Sequence, residues 1–158
     1  MPTLDEHGRI RAYPMRVSVY ENGTATMETY AIRLRPNQDL RHELEAFATA
    51  NNLQAAFILT CVGSLRHAAL RLADKPDTTQ YEGKFEIVSL VGTLSKDGPH
   101  LHISLSDGTG TMIGGHLQMG NLIYTTAEIV IGELTDKVFS RPIDTETTYD
   151  ELEISDRT

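Results

Sequence analysis

The chain has a single cysteine, no cluster of basic residues, no long apolar run and no phosphate-binding loop. Each gap removes a class of protein. A lone thiol cannot form an internal disulfide. The apolar setting of Cys61 in "AFILTCVGSL" is that of a buried thiol, which favours a reducing, cytoplasmic location. No run approaches the roughly 20 apolar residues of a spanning helix, so no membrane partner is expected. The opening "MPTLDEHGRI" carries acids and lacks the apolar segment of a secretory signal. Lys and Arg number 14 against 22 Asp and Glu, a net charge of −8. The last fifteen residues, "DTETTYDELEISDRT", account for −5 of it and the rest of the chain for −3. Neither part suits a protein that grips duplex nucleic acid through its phosphates, which requires clustered Lys and Arg. "GTG" and "GGH" lack the strand-to-helix context of a phosphate loop, and neither G-x-S-x-G nor H-E-x-x-H occurs.

At 158 residues, 40% hydrophobic and 23% charged, the chain has the size and composition of one globular domain. Residues 1–14 have the mixed composition of a loose arm. "MRVSVYENGTATMETYAIRLRP" predicts two strands joined at Asn22-Gly23, a pair that accepts the positive φ angles of a tight hairpin. In "NQDLRHELEAFATANN", Leu40, Leu44 and Phe47 recur at helical spacing with Ala48 beside them. Asn37 or Asp39 can cap this helix, and Asn51-Asn52 ends it. His42 falls on its polar face. From "AAFILTCVGSL" onward, segments rich in Ile, Val, Thr and Tyr are separated by Gly, Asp and Asn turns, with no alternation of strand and helix. The expected fold is a single α+β domain, a mostly antiparallel sheet with one main amphipathic helix. Its parts are an arm and hairpin strand over 1–28, the domain over 29–134, and a solvated acidic extension over 135–158.

The chemistry concentrates in "GPHLHISLSDGTGTMIGGHLQ", residues 98–118, which holds three of the six histidines. In "HLHISLS" the side chains alternate, so His100, His102, Ser104 and Ser106 share one face and Leu101, Ile103 and Leu105 the other. The apolar face must pack on the core. His116 joins the first two only if the pairing register sums to 218, which centres the turn on Thr109. A three-residue loop, Gly108-Thr109-Gly110, satisfies that parity, and Gly110 is the residue type its left-handed last position wants. A two-residue loop would turn His116 to the wrong face. In the convergent register three imidazoles could reach one ion at zinc distances and leave a fourth position open. Otherwise they are polar strand residues on a half-exposed face or an interface. Lys84 and Glu86 share a face of "YEGKFEIVSL", as a cross-strand salt bridge or part of a polar site. His67 and Cys61 are taken as structural.

Five segments in order, "YAIRLRPNQDL", "AFILTCVGSLRHAALRLAD", "YEGKFEIVSLVGTLS", "PHLHISLSDGTGTMIGGHL" and "AEIVIGEL", resemble the PPC (plants and prokaryotes conserved) domain over residues 29–134. The most specific piece is "EGKFEI", similar to the family's Gly-Arg-Phe-Glu-Ile, with Lys84 in the Arg position. The resemblance implies an α+β fold assembling as a homotrimer. In plants an AT-hook precedes the domain and supplies DNA binding. No Arg-Gly-Arg-Pro core occurs here, so DNA binding, a label such proteins often inherit, is not carried over. The His-x-His and Gly-Gly-His elements are similar to the prokaryotic branch, where three histidines can hold a metal. On that likeness His100, His102 and His116 become candidate zinc ligands. Two functions follow as expectations. One is a trimeric binding or assembly module, with a protein or small-molecule partner. The other is a zinc enzyme acting on a small substrate, with Glu86 as general base if the fold brings it to the site.

Overall fold

The computed structural model describes residues 13–17 and 27–158. The predicted helix is α1, Leu40–Ala50, and Asp39 rather than Asn37 caps it, its side chain accepting the His42 N–H at 3.0 Å. Leu40, Leu44 and Ala48 are buried, and Phe47 meets Tyr30 edge-on at 5.6 Å between ring centroids. This is the apolar stripe that the spacing required.

Around the helix runs an antiparallel sheet of β1 (Tyr13–Val17), β2 (Met27–Leu34), β3 (Ala56–Arg71), β4 (Thr78–Ser95), β5 (Gly98–Ser106), β6 (Met112–Leu117) and β7 (Leu122–Leu134), in the order β1-β2-β7-β3-β4-β5-β6. β1 begins at Tyr13, inside the stretch read as a loose arm. The Asn22-Gly23 turn lies outside the described residues. "AAFILTCVGSL" and "RHAALRL" form one strand rather than two, interrupted by bulges near Thr60, Leu65 and His67. Bulges bend and twist a strand. β3 thereby pairs with β7 over most of its length and with β6 at Leu70 and Arg71, so that β3, β4, β5 and β6 close on one another. Leu70, Leu101, Ile103, Leu105 and Leu117 point into the core that this closure forms. Buried Asn121 ties the β6–β7 connection to β3, accepting from Ala69 N and donating to the carbonyls of Ala69 and Gln118.

The acidic C-terminal segment is not simply solvated. β8 (Lys137–Ser140) and β9 (Glu153–Asp156) pair as a second, two-stranded sheet. Phe139 is buried and its N–H donates to Gln54 O at 2.9 Å, Arg141 N donates to Asp97 Oδ2 at 3.1 Å, and Arg157 lies 3.7 Å from buried Glu133. One aromatic anchor, a backbone N–H to a carboxylate and one ion pair hold the segment that its composition suggested would stay free. No helix among the described residues is long and apolar enough to cross a membrane.

Candidate metal centre

Parity and turn chemistry decide the site. β5 and β6 pair with His102 opposite His116, the register that sums to 218. The loop is Gly108-Thr109-Gly110: Asp107 N donates to Thr111 O and Gly110 N to Asp107 O, each at 3.0 Å, with Gly110 at φ 85°. Asp107 Oδ1 also accepts from the Thr109 hydroxyl at 2.7 Å and from the N–H groups of Thr109 and Thr111, which together hold its carboxyl below the usual range and fix the turn.

Residues directly opposite share a face, so the pairings set Arg71, His116, His102 and Val91 in one row across β3, β6, β5 and β4. His100, two residues before His102, stands on the same face. The ring centroids lie 5.0 Å apart for His100–His102, 4.3 Å for His102–His116 and 5.5 Å for His100–His116. Each imidazole offers one ligand nitrogen, and the three nitrogens lie within 4.8 Å of one another. Gly114 and Ser104, their neighbours on that face, leave the approach open.

This donor set fits a metal. His102 Nε2 and His116 Nδ1 are 3.0 Å apart, so one proton is shared between them. Two nitrogens bound tetrahedrally to one zinc ion at ~2.0–2.1 Å stand about 3.3 Å apart, so exchanging that proton for an ion asks for a few tenths of an ångström. Burial lowers the pKa of His100, helped by the Arg141 charge, and burial lowers that of His116, helped by Arg71. Both effects favour the neutral imidazole, the form that ligates metals.

The surroundings come from three directions that local sequence does not connect. Arg141, after β8, donates from Nη2 to His100 Nδ1 at 3.2 Å and to the Asp150 carbonyl. That orients the ring and, in the neutral imidazole, puts its proton on Nε2, so His100 ligates through Nε2 only by giving up the Arg141 hydrogen bond and moving that proton to Nδ1. Arg41 of α1 donates to Leu117 O at 3.1 Å. A cavity of about 420 Å³ lies between these elements, lined by His100, His116, Arg41, Arg71, Arg141 and Glu151. A second hollow of about 220 Å³ touches His100, His102 and Glu151.

A model of the Plants and Prokaryotes Conserved (PCC) domain matches residues 21–135. The chain belongs to this family. Among its relatives, the bifunctional protein GlmU of Synechococcus sp. (strain JA-3-3Ab) is 48% identical over 131 residues, 83% of this chain but 21% of that protein. The chain thus spans about a fifth of that relative. A solved structure of a hypothetical protein from Salmonella cholerae-suis superposes with a TM-score of 0.84 at 46% identity, covering 87% of this chain and 100% of that one. A metal-containing protein from Archaeoglobus fulgidus superposes with a TM-score of 0.66 at 26% identity, covering 88% and 99%.

The other polar residues that the sequence singled out fall elsewhere. Glu86 pairs with Ser106, four residues along β5 from His102, or about 13 Å at ~3.3 Å per residue, so it does not reach the site. Lys84 stands over the Tyr124 ring, 4.7 Å from its centroid. His42 is exposed on α1. His67 donates from Nδ1 to Gly120 O at 2.6 Å and faces Glu82 at 3.3 Å through Nε2, a structural role. Cys61 is buried, which pushes its thiol up to about 12. Sequence reasoning missed Arg71, Arg141 and Glu151. The only local signal for the last two was "KVFS", a short apolar strand within the acidic segment.

Proposed function

We propose that this member of the family is a homotrimeric, cytoplasmic binding or assembly module whose His100, His102 and His116 hold a zinc ion. The observation that carries the reading is the convergence of three ligand nitrogens within 4.8 Å, from a hairpin with a fixed register. Three imidazoles without thiolates suit zinc and leave a coordination position open. The metal content of the Archaeoglobus relative supports the same assignment. The trimer is supported by the sheet face that bears the histidines, where Val62, Val88 and Val91 are 59%, 53% and 52% exposed. Apolar side chains grouped on a strand face are what subunit contacts cover. Nucleic acid is not a proposed partner, because the net charge of −8 opposes phosphate binding.

One observation favours a second reading, a zinc-dependent enzyme. His100 and His116 line an open cavity that also holds a half-buried carboxylate, Glu151, positioned by the Thr147 hydroxyl at 3.1 Å. A bound zinc ion supplies Lewis acidity. In this reading Glu151, rather than Glu86, holds the proton at the cavity wall. Native mass spectrometry of untagged protein tests the main reading, with a mass of three chains carrying about one zinc each expected. A metal-free monomer would contradict it.

A further inference from the structure

Two guanidiniums beside the histidines lack a carboxylate partner. Among the described residues Arg71 makes no side-chain hydrogen bond or ion pair, and the Arg141 guanidinium donates only to His100 Nδ1 and the Asp150 carbonyl. The other half-buried cations among the described residues are matched: Arg41 to Glu45 at 2.8 Å and Lys137 to Asp156 at 2.6 Å. Arg66, Lys75 and Lys96 are exposed on the surface. Arg71 and Arg141 are instead half-buried, where an unpaired charge gives up hydration without compensation. In a chain of net charge −8, carboxylates to neutralise them were plentiful.

Both arginines line the same cavity of about 420 Å³, together with His100, His116 and Gln118. That volume falls within the ~300–1,000 Å³ typical of small-molecule sites. Asp150 and Glu151 also line it, but neither carboxylate forms an ion pair with Arg71 or Arg141. Glu151 accepts from Thr147 Oγ1, and Asp150 is exposed and held through its backbone carbonyl. A planar guanidinium presents two parallel N–H donors to two oxygens of a carboxylate or phosphate. Register sets Arg71 directly across from His116, so a group gripped by Arg71 lies against the histidine cluster.

We propose that this cavity takes a small molecule bearing an oxyanion, a carboxylate or a phosphate, gripped by Arg71 and Arg141 beside the three histidines. The inference deepens the metal-centre reading by naming its ligand class, and it rests on that reading for the role of the histidines. The test is calorimetric titration of the full-length protein with inorganic phosphate and, separately, with acetate. Wild type, Arg71→Gln and Arg71→Lys are each compared zinc-loaded and after chelation, with zinc content and melting temperature measured on every sample. The expected result is saturable binding of one of the anions. It weakens about tenfold or more in Arg71→Gln, the scale of a lost charge-assisted pair, while zinc content is unchanged. The anion that binds tells phosphate from carboxylate. Should Arg71→Gln fail to fold, a several-fold loss in Arg71→Lys, which keeps the charge and removes the fork, supports the same conclusion. Zinc-loaded protein that shows no saturable binding of either anion, or equal binding by wild type and both variants, overturns the oxyanion site and leaves the metal centre standing. Binding that depends on Arg71 in a wild-type protein unable to take up zinc supports the oxyanion site and overturns the metal centre.

Discussion

Gly92→Ala puts the architecture of the site under direct strain. Gly92 sits on β4 opposite Leu101 with φ 134°, a region that side-chain-bearing residues rarely adopt. A Cβ there would lie 1.9 Å from the His100 carbonyl oxygen, 2.9 Å from its carbon and 3.0 Å from Leu101 Cα. All three are backbone atoms of the neighbouring strand, so no side chain can turn aside. Restoring ordinary contact requires the strands to part by about 1.5 Å, given that carbon meets its neighbours at about 3.5 Å. Strain at such a φ costs about 1–3 kcal/mol. One or two weakened ladder bonds add about 1 kcal/mol each. The sum is about 2–5 kcal/mol, which for a domain of this size lowers Tm by about 4–20 °C. Metal ligands tolerate roughly 0.2 Å of misplacement, so the displaced His100 should no longer complete the site. Thermal melting in chelator measures the first effect, and zinc content of folded protein at low temperature the second. Gly110→Ala is the control, since its Cβ would meet nothing within 4 Å and only the strain of φ 85° remains. It should cost about 1 kcal/mol and keep its zinc. A Gly92→Ala protein that melts like wild type and binds zinc normally would refute the β4–β5 register and the argument built on it.

Three further outcomes follow. Zinc at a hundred times its Kd should stabilise the chain by about 2.7 kcal/mol, raising Tm by about 5–11 °C, and differential scanning calorimetry should find no such rise in His102→Ala. His100 and His116 have lowered pKa values in the folded protein, so the unfolded chain binds more protons and stability falls on acidification. The effect is absent above the unfolded value of about 6.5, grows as pH drops through it and levels off below the folded values. Urea titrations of metal-free protein at stepped pH should show this, and a flat profile would contradict it. Cys61, buried with its thiol raised to about 12, should not react with a thiol reagent at neutral pH in native protein and should react fully on unfolding.

The hairpin was legible because two short-range rules agree. Alternation assigns His100 and His102 to one face, and Gly110 selects the odd loop that brings His116 to it. The helix was legible for the same reason, as Leu40, Leu44 and Phe47 carry a period that no strand accommodates. What lay beyond reach were contacts between distant segments. Arg141 and His100 are 41 residues apart, and the acidic surroundings of Arg141 concealed an anchor that depends on buried Phe139. The pairing of Arg71 with His116 exists only because bulges bend β3 until β6 returns to it. Glu86 shows the opposite error. It occupies the face that alternation assigns, but too far along the strand to serve the site.

The central claim is that the three histidines hold a metal, and elemental analysis of untagged protein after exposure to zinc and removal of the excess tests it most directly. Near one zinc per chain in wild type and essentially none in His102→Ala, with the variant still folded, is the expected result. Zinc absent from the wild type after reconstitution, or retained undiminished by His102→Ala, would contradict the claim.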